Sequence, residues 1–159
     1  MKIIITGLIV LLAGGAAASE KLTISTKQLH YKLAMEALVA AVEECSKRGY
    51  KVSAAVTGRD GNLLAYLRHP LAGPHTIATS QQKAYTAASL QAPTSAQLQK
   101  DRPDLNFAPG ILLIQGAQPI SVAGQFYGGI AVAGADTQTD EACAQHGLSV
   151  LTSKLEFAD

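Results

Sequence analysis

The sequence contains no tryptophan, five tyrosines and three phenylalanines, so aromatic residues make up only 5% of its 159 positions. Without large aromatic anchors a core must be closed by small residues, and the 14 glycines and many alanines point to helices and strands in close approach. Charge is also scarce: charged residues make up 16%, the formal net charge is +1, and there is no run of Lys or Arg. That gives no electrostatic footprint for nucleic acid or for an acidic membrane surface, and neither is expected as a partner. With only two cysteines, no Cys-x-x-Cys and no neighbouring His pattern, the chain offers no zinc site. What it does have is 48% hydrophobic content on a length suited to one compact domain, which excludes disorder.

Part of that hydrophobic content is concentrated at the start. Lys2 is followed by an apolar run from Ile3 to Ala13 and by small residues through Ala16-Ala17-Ala18. The run is too short to span a bilayer comfortably and reads as a secretory signal peptide, residues 1–18, cleaved before Ser19. The expectation is a single mature domain, 19–159, in the periplasm or secreted, with no membrane association after cleavage. Cys45 and Cys143 would then meet an oxidising compartment, where a bridge is allowed. Both fall in predicted helices and are read as small buried apolar residues, pairing being allowed but not implied, so no chemistry is assigned to them.

Ser25 and Gln28 form a capping-box pattern, and Leu29, Leu33, Ala37, Ala41 and Cys45 recur every four residues, predicting a helix over 25–48 that stops at Gly49. Val52–Val56 and Leu63–Leu67 flank Gly58-Arg59-Asp60-Gly61 and read as a hairpin. After His69-Pro70 and a loop holding Gly73-Pro74, a helix is expected from near Thr76, packing through Ala84, Ala87 and Ala88 until Pro93 breaks it. Thr94 and Ser95 can cap a short helix. Ile111–Ile114, Ile120–Val122 and Gln125–Ala133 read as three more strands, and a final helix over 137–151 opens on Asp136, Asp140 and Glu141. Meanders separated by helices make this an α+β domain, one antiparallel sheet covered by helices.

No hydrolase elbow, P-loop, dinucleotide fingerprint or His-Glu-x-x-His is present. One polar cluster remains: Arg68, His69, His75, Thr76, Thr79, Lys83, Tyr85 and Thr86. Within it His75 follows a tight Gly-Pro loop and precedes Thr76, where a helix can begin, so its imidazole can meet an anion or a metal-bound ligand. His69 reads as a turn residue before proline, and His30 and His146 as surface histidines on polar helix faces. Lys83 suits a carboxylate clamp or a solvated position, and Tyr85 a half-buried packing role.

The ordered series Leu22-Thr23-Ile24-Ser25, Ala-Gly-Pro-His-Thr at 72–76, Lys-Ala-Tyr-Thr-Ala at 83–87, Pro-Thr-Ser at 93–95, Pro-Gly at 109–110, Tyr-Gly-Gly-Ile-Ala-Val-Ala-Gly at 127–134 and Asp-Glu-Ala-Cys at 140–143 resembles the GlcG/HbpS-like (DUF336-type, haem-binding or haem-degrading) family over about 22–151. The resemblance implies a profilin-like sheet of five antiparallel strands flanked by helices, assembly into homo-oligomers, and haem or tetrapyrrole binding in some members. It implies ligand-binding roles for His75, Thr76 and Lys83; in the haem-binding reading of the cationic cluster His75 ligates the iron or a propionate pairs with Lys83 or Arg68. The family commonly carries Val-Asp-x-x-Gly after the first strand, whereas this chain has Gly58 at the acid's position, which removes support for an acidic site there. The expectation is an exported haem-binding protein, with no enzymatic activity assigned. The alternatives are an enzyme or accessory factor acting on a small organic acid through Arg68, His75 and Lys83, and a non-catalytic oligomeric scaffold.

Overall fold

The computed structural model describes residues 22–98 and 102–157. The expected first helix is shorter at its start: α1 runs Tyr31–Lys47, and residues 22–28 are irregular and exposed. A helix of this length is held by the face it buries, and that face begins only at Leu29 and Ala34, so the Ser25 capping pattern has nothing to pack against and goes unused. His30 caps the helix instead, its Nδ1 accepting the Lys32 N–H at 3.2 Å.

Strands β1 (Ser53–Gly58), β2 (Leu63–Arg68), β3 (Ala117–Val122) and β4 (Gln125–Ala133) form one antiparallel sheet in the order β2-β1-β4-β3. The sheet therefore has four strands rather than five. Ile111–Ile114 is apolar enough to read as a strand, but its amides are spent elsewhere: Leu112 N–H donates to Thr86 Oγ1 at 2.8 Å and Ile114 N–H turns back to the Leu112 carbonyl at 2.9 Å. Strand pairing resumes at Ala117, earlier than the expected Ile120, and Pro119 is tolerated because β3 is an edge strand.

Helices α2 (His75–Leu90) and α3 (Thr94–Leu98) follow the hairpin, a 3-10 turn spans Pro103–Phe107, and α4 (Thr137–Leu155) closes the chain. Helices α1 and α4 cover one face, where Leu38, Val52, Val56, Ile120, Ile130, Val132 and Leu151 make the larger core. On the other face α2 lies on a layer of alanines, Ala55, Ala84, Ala87, Ala117 and Ala131. This second layer is thin because the helix nearly touches the backbone of β4. A Cβ on Gly129 would fall 2.3 Å from the Ala84 carbonyl oxygen, so only glycine fits beneath α2 at that point.

Cys45 of α1 and Cys143 of α4 are joined in a disulfide across a sequence separation of 98. Each occupies a buried position on its helix, which is why either reads as a small apolar residue until the two helices are placed side by side. The bridge closes a loop containing the whole sheet and should stabilise mainly by restricting the unfolded chain. Reduction, or Cys45→Ala with Cys143→Ala, is expected to lower unfolding free energy by about 3–4 kcal/mol, read from urea midpoints with and without reductant. An unchanged midpoint would show that the crosslink constrains nothing.

Candidate functional site

At the end of β2 the chain makes a tight excursion before α2. His69 N–H donates to the Val52 carbonyl at 2.9 Å, Leu71 N–H to His69 Nδ1 at 3.1 Å and Ala72 N–H to the His69 carbonyl at 2.9 Å. Arg68 reaches over this loop and donates from Nη2 to the Ala72 carbonyl. Thr76 lies fully buried beneath it: its Oγ1 lies 2.7 Å from both the Gly73 carbonyl and Ser53 Oγ, which also accepts from Tyr66 OH at 3.0 Å. Thr76 thus fastens the loop to the sheet from inside and presents no hydroxyl to solvent.

His75 is exposed, and its ring folds over Gly73, where a Cβ would come within 2.7 Å of His75 Cε1. Arg68 and His75 therefore both contact the loop at Ala72 and Gly73. The Arg68 Nε is fully enclosed and has no hydrogen-bond partner among the described residues. A buried guanidinium nitrogen without an acceptor is unusual; the Nη1 of the same group is not enclosed and makes no hydrogen bond among the described residues, so it is the nitrogen left to meet an anion.

The four histidines separate by tautomer. In His30 and His69 the Nδ1 accepts a backbone N–H, so a neutral ring carries its proton on Nε2 and offers no lone pair there to a metal. The His75 ring makes no hydrogen bond among the described residues. His146 of α4 stands near Glu44 of α1, whose carboxyl is held below its ordinary value chiefly by its hydrogen bond from Arg48 and, more weakly, by His146.

Lys83 is not part of this surface. It lies two turns along α2 from His75, about 12 Å, with only 1% of its side chain exposed. Its Nζ donates to Asp140 Oδ2 at 2.9 Å and to the Val132 carbonyl at 3.1 Å. The clamp expected of Lys83 is already closed on a carboxylate of its own chain. Asp140, read from the sequence as a charge for the helix N-terminus, also accepts the Ala135 N–H at 3.0 Å, while Asp136 caps α4 by accepting from Thr139 N–H at 3.0 Å. Burial raises the Asp140 carboxyl above its ordinary value, against the opposing pull of Lys83 and of the Ala135 and Gly134 amides. Next to it, Glu141 accepts from Ser95 Oγ, Gln115 Nε2 and Gln118 Nε2, tying α3 and the start of β3 to α4. A four-residue separation of acids gives no hint of these partners.

Tyr85 has the packing role read from the sequence, its ring lying against Gly61 and Gly110. A separate cavity of about 490 Å³ opens on the other side of the hairpin turn, between residues 26–29, the turn itself and Tyr127. There Asp60 folds back over Gly58, where a Cβ would lie 2.9 Å from Asp60 Oδ1, so a carboxylate occupies the space above the position at which the family's acid is missing. Among the described residues no group of three metal-ligating side chains is assembled, and no helix is long and apolar enough to cross a membrane.

The family model described as "Haem degrading protein HbpS-like" matches residues 29–149. The chain belongs to the HbpS-like family. It is similar to the crystal structure of a double mutant of Streptomyces reticuli HbpS, with 36% identity and a TM-score of 0.78 over 92% of this chain and 98% of the other. Protein GlcG of Escherichia coli K12 is 32% identical over 107 residues, 65% of this chain and 80% of GlcG. The PduOC:heme complex, at 18% identity, shares the fold, with a TM-score of 0.72 over 78% of this chain and 95% of PduOC. The HbpS-like chain thus keeps Arg68 and His75 at one surface and commits Thr76 and Lys83 to its interior.

Lys83→Met leaves a buried, uncompensated carboxylate and is expected to cost about 3–5 kcal/mol, whereas Lys83→Met combined with Asp140→Leu should recover most of that loss in urea unfolding. Because the folded Asp140 carboxyl titrates above its unfolded value, its contribution is full below the unfolded pKa and is lost as pH rises through the folded one. The wild-type midpoint relative to Asp140→Asn should therefore fall as pH rises from the ordinary carboxylate range, about pH 4, through the raised folded value. A flat difference would contradict the raised carboxyl.

Proposed function

We propose that this HbpS-like protein is an exported haem- or tetrapyrrole-binding protein in which His75 is the iron ligand and Arg68 receives a propionate. The observation that carries the reading is the half-buried Arg68, held by Nη2 on the Ala72 carbonyl with an unenclosed Nη1 that has no acceptor among the described residues, beside the loop whose Gly73 is covered by an exposed imidazole with uncommitted ring nitrogens. A carboxylate supplies what the guanidinium lacks, and a neutral imidazole supplies an axial nitrogen. When bound, the iron would contribute a coordination position whose reactivity is set by the ligand and its surroundings. The family description and the haem held by PduOC support the same class of ligand.

The alternative of a small-organic-acid enzyme built on Arg68, His75 and Lys83 loses its third cation to Asp140. Export, with cleavage after Ala18 and residence in the periplasm or outside the cell, belongs to the proposal; the Cys45–Cys143 disulfide supports it, since such bonds persist in oxidising compartments. Assembly into a homo-oligomer is the remaining part of the reading, read by light scattering.

Titration of the mature protein with hemin should give a saturable, iron-dependent Soret band that a metal-free porphyrin does not reproduce. His75→Ala should abolish the iron-dependent change, and Arg68→Gln should weaken binding by roughly tenfold, the value of one charge-assisted hydrogen bond. Absence of saturation would remove haem as the ligand. Protein recovered from an exporting host should have the intact mass of a chain beginning at Ser19; a retained leader would overturn the export assignment.

A further inference from the structure

We propose that the cavity beside the β1–β2 turn is a second binding site, independent of His75, for a small uncharged polyhydroxylated molecule of the sugar or polyol class. One wall of the cavity, Tyr127, is set by an irregularity in β4. Gly128 pairs with Ile120 and Phe126 pairs with Ser121, which leaves Tyr127 as an extra residue without a partner on β3. The irregularity needs glycine: Gly128 has φ +146°, and a Cβ on it would lie 2.0 Å from the Thr57 carbonyl oxygen. Bulges of this kind re-aim a side chain. Here Tyr127 joins the α1–α4 core together with Ile130 instead of alternating away from it.

Tyr127 is only 9% exposed, yet its hydroxyl makes no hydrogen bond among the described residues. It is also not one of the fully enclosed orphan atoms, so the oxygen opens on the cavity that its residue lines. A tyrosine hydroxyl held at the end of a buried ring is a donor and acceptor waiting for a polar partner.

The remaining polar groups around the cavity come in complementary kinds. Arg59 is fixed by donation from Nη1 to the Phe126 carbonyl at 3.2 Å and by stacking 5.6 Å from the Phe126 ring centroid, leaving its other nitrogens as donors. Asp60 is held by the Asn62 N–H at 3.1 Å and Asn62 Nδ2 at 2.7 Å, which keep its carboxyl below its ordinary value and leave further lone pairs as acceptors. Thr26 and Gln28 add groups that both donate and accept. One fixed cation beside one fixed anion means that a ligand with net charge meets its like charge about as closely as its opposite. Hydroxyl groups, each able to donate to Asp60 and accept from Arg59, match both. Leu29, Leu63 and Leu64 offer apolar wall to the C–H face of such a molecule, and about 490 Å³ is within the size of small-ligand cavities.

The test is calorimetric and NMR titration of the intact mature protein with glucose, galactose, mannose and mannitol, with acetate and glycine as anionic and zwitterionic comparators. At least one of the four polyols should saturate, with shift changes confined to residues 26–29, 58–64 and 127. Tyr127→Phe, which keeps the ring, should weaken that binding roughly fivefold, and Asp60→Asn should weaken it by a similar factor. His75→Ala should leave it unchanged, which separates this site from the haem reading. Failure of all four polyols to saturate, tighter binding of acetate or glycine, or full affinity in Tyr127→Phe would overturn the proposal.

Discussion

The ion pair between Lys83 and Asp140 connects the two helical layers of this protein through the end of its central strand. Lys83 belongs to α2 on one face, Asp140 to α4, which packs on the other, and the Val132 carbonyl that completes the lysine's contacts belongs to β4 between them. A lysine is admitted to a nearly dry interior only when such partners are all in place. Glu141, one residue further along α4, extends the same connection to α3 and β3 through a serine and two glutamines. Charged residues that look like a helix N-terminal cluster thereby decide how the connecting segment before β3 is held.

With α2 fixed in this way, its N-terminus has to meet the end of β2 at the Arg68–Gly73 loop. Thr76, Ser53 and Tyr66 form the buried side of that junction, and Arg68 and His75 form its outer side. The surface that carries the haem proposal is therefore a consequence of helix placement rather than of a contiguous motif. On the opposite face the disulfide draws α1 and α4 together, and the N-terminal segment before α1 is left lying beside the hairpin turn, where it closes one wall of the Tyr127 cavity.

The fold of this HbpS-like chain depends on small residues at its closest contacts. Gly129 lets α2 rest on β4, Gly128 permits the irregularity that turns Tyr127 inward, and the alanine layer keeps the spacing tight. Neither site has a recognisable catalytic triad or metal cluster among the described residues, and what distinguishes each is an incompletely used polar group: the Arg68 guanidinium in one, Tyr127 OH in the other.

The sequence by itself determined the α+β order of elements, the hairpin at Asp60-Gly61, the helix end at Gly49 and the break at Pro93, because turn chemistry and helical periodicity are local properties of the chain. It misread Ser25 as a cap and Ile111–Ile114 as a strand, since both depend on whether a packing face or a ladder partner is within reach. Only the tertiary structure decided that Cys45 meets Cys143, that Lys83 is consumed by Asp140, and that Thr76 points inward. Those outcomes depend on which residues, often distant along the chain, a folded backbone brings within bonding distance; no single residue's type or spacing carries that information.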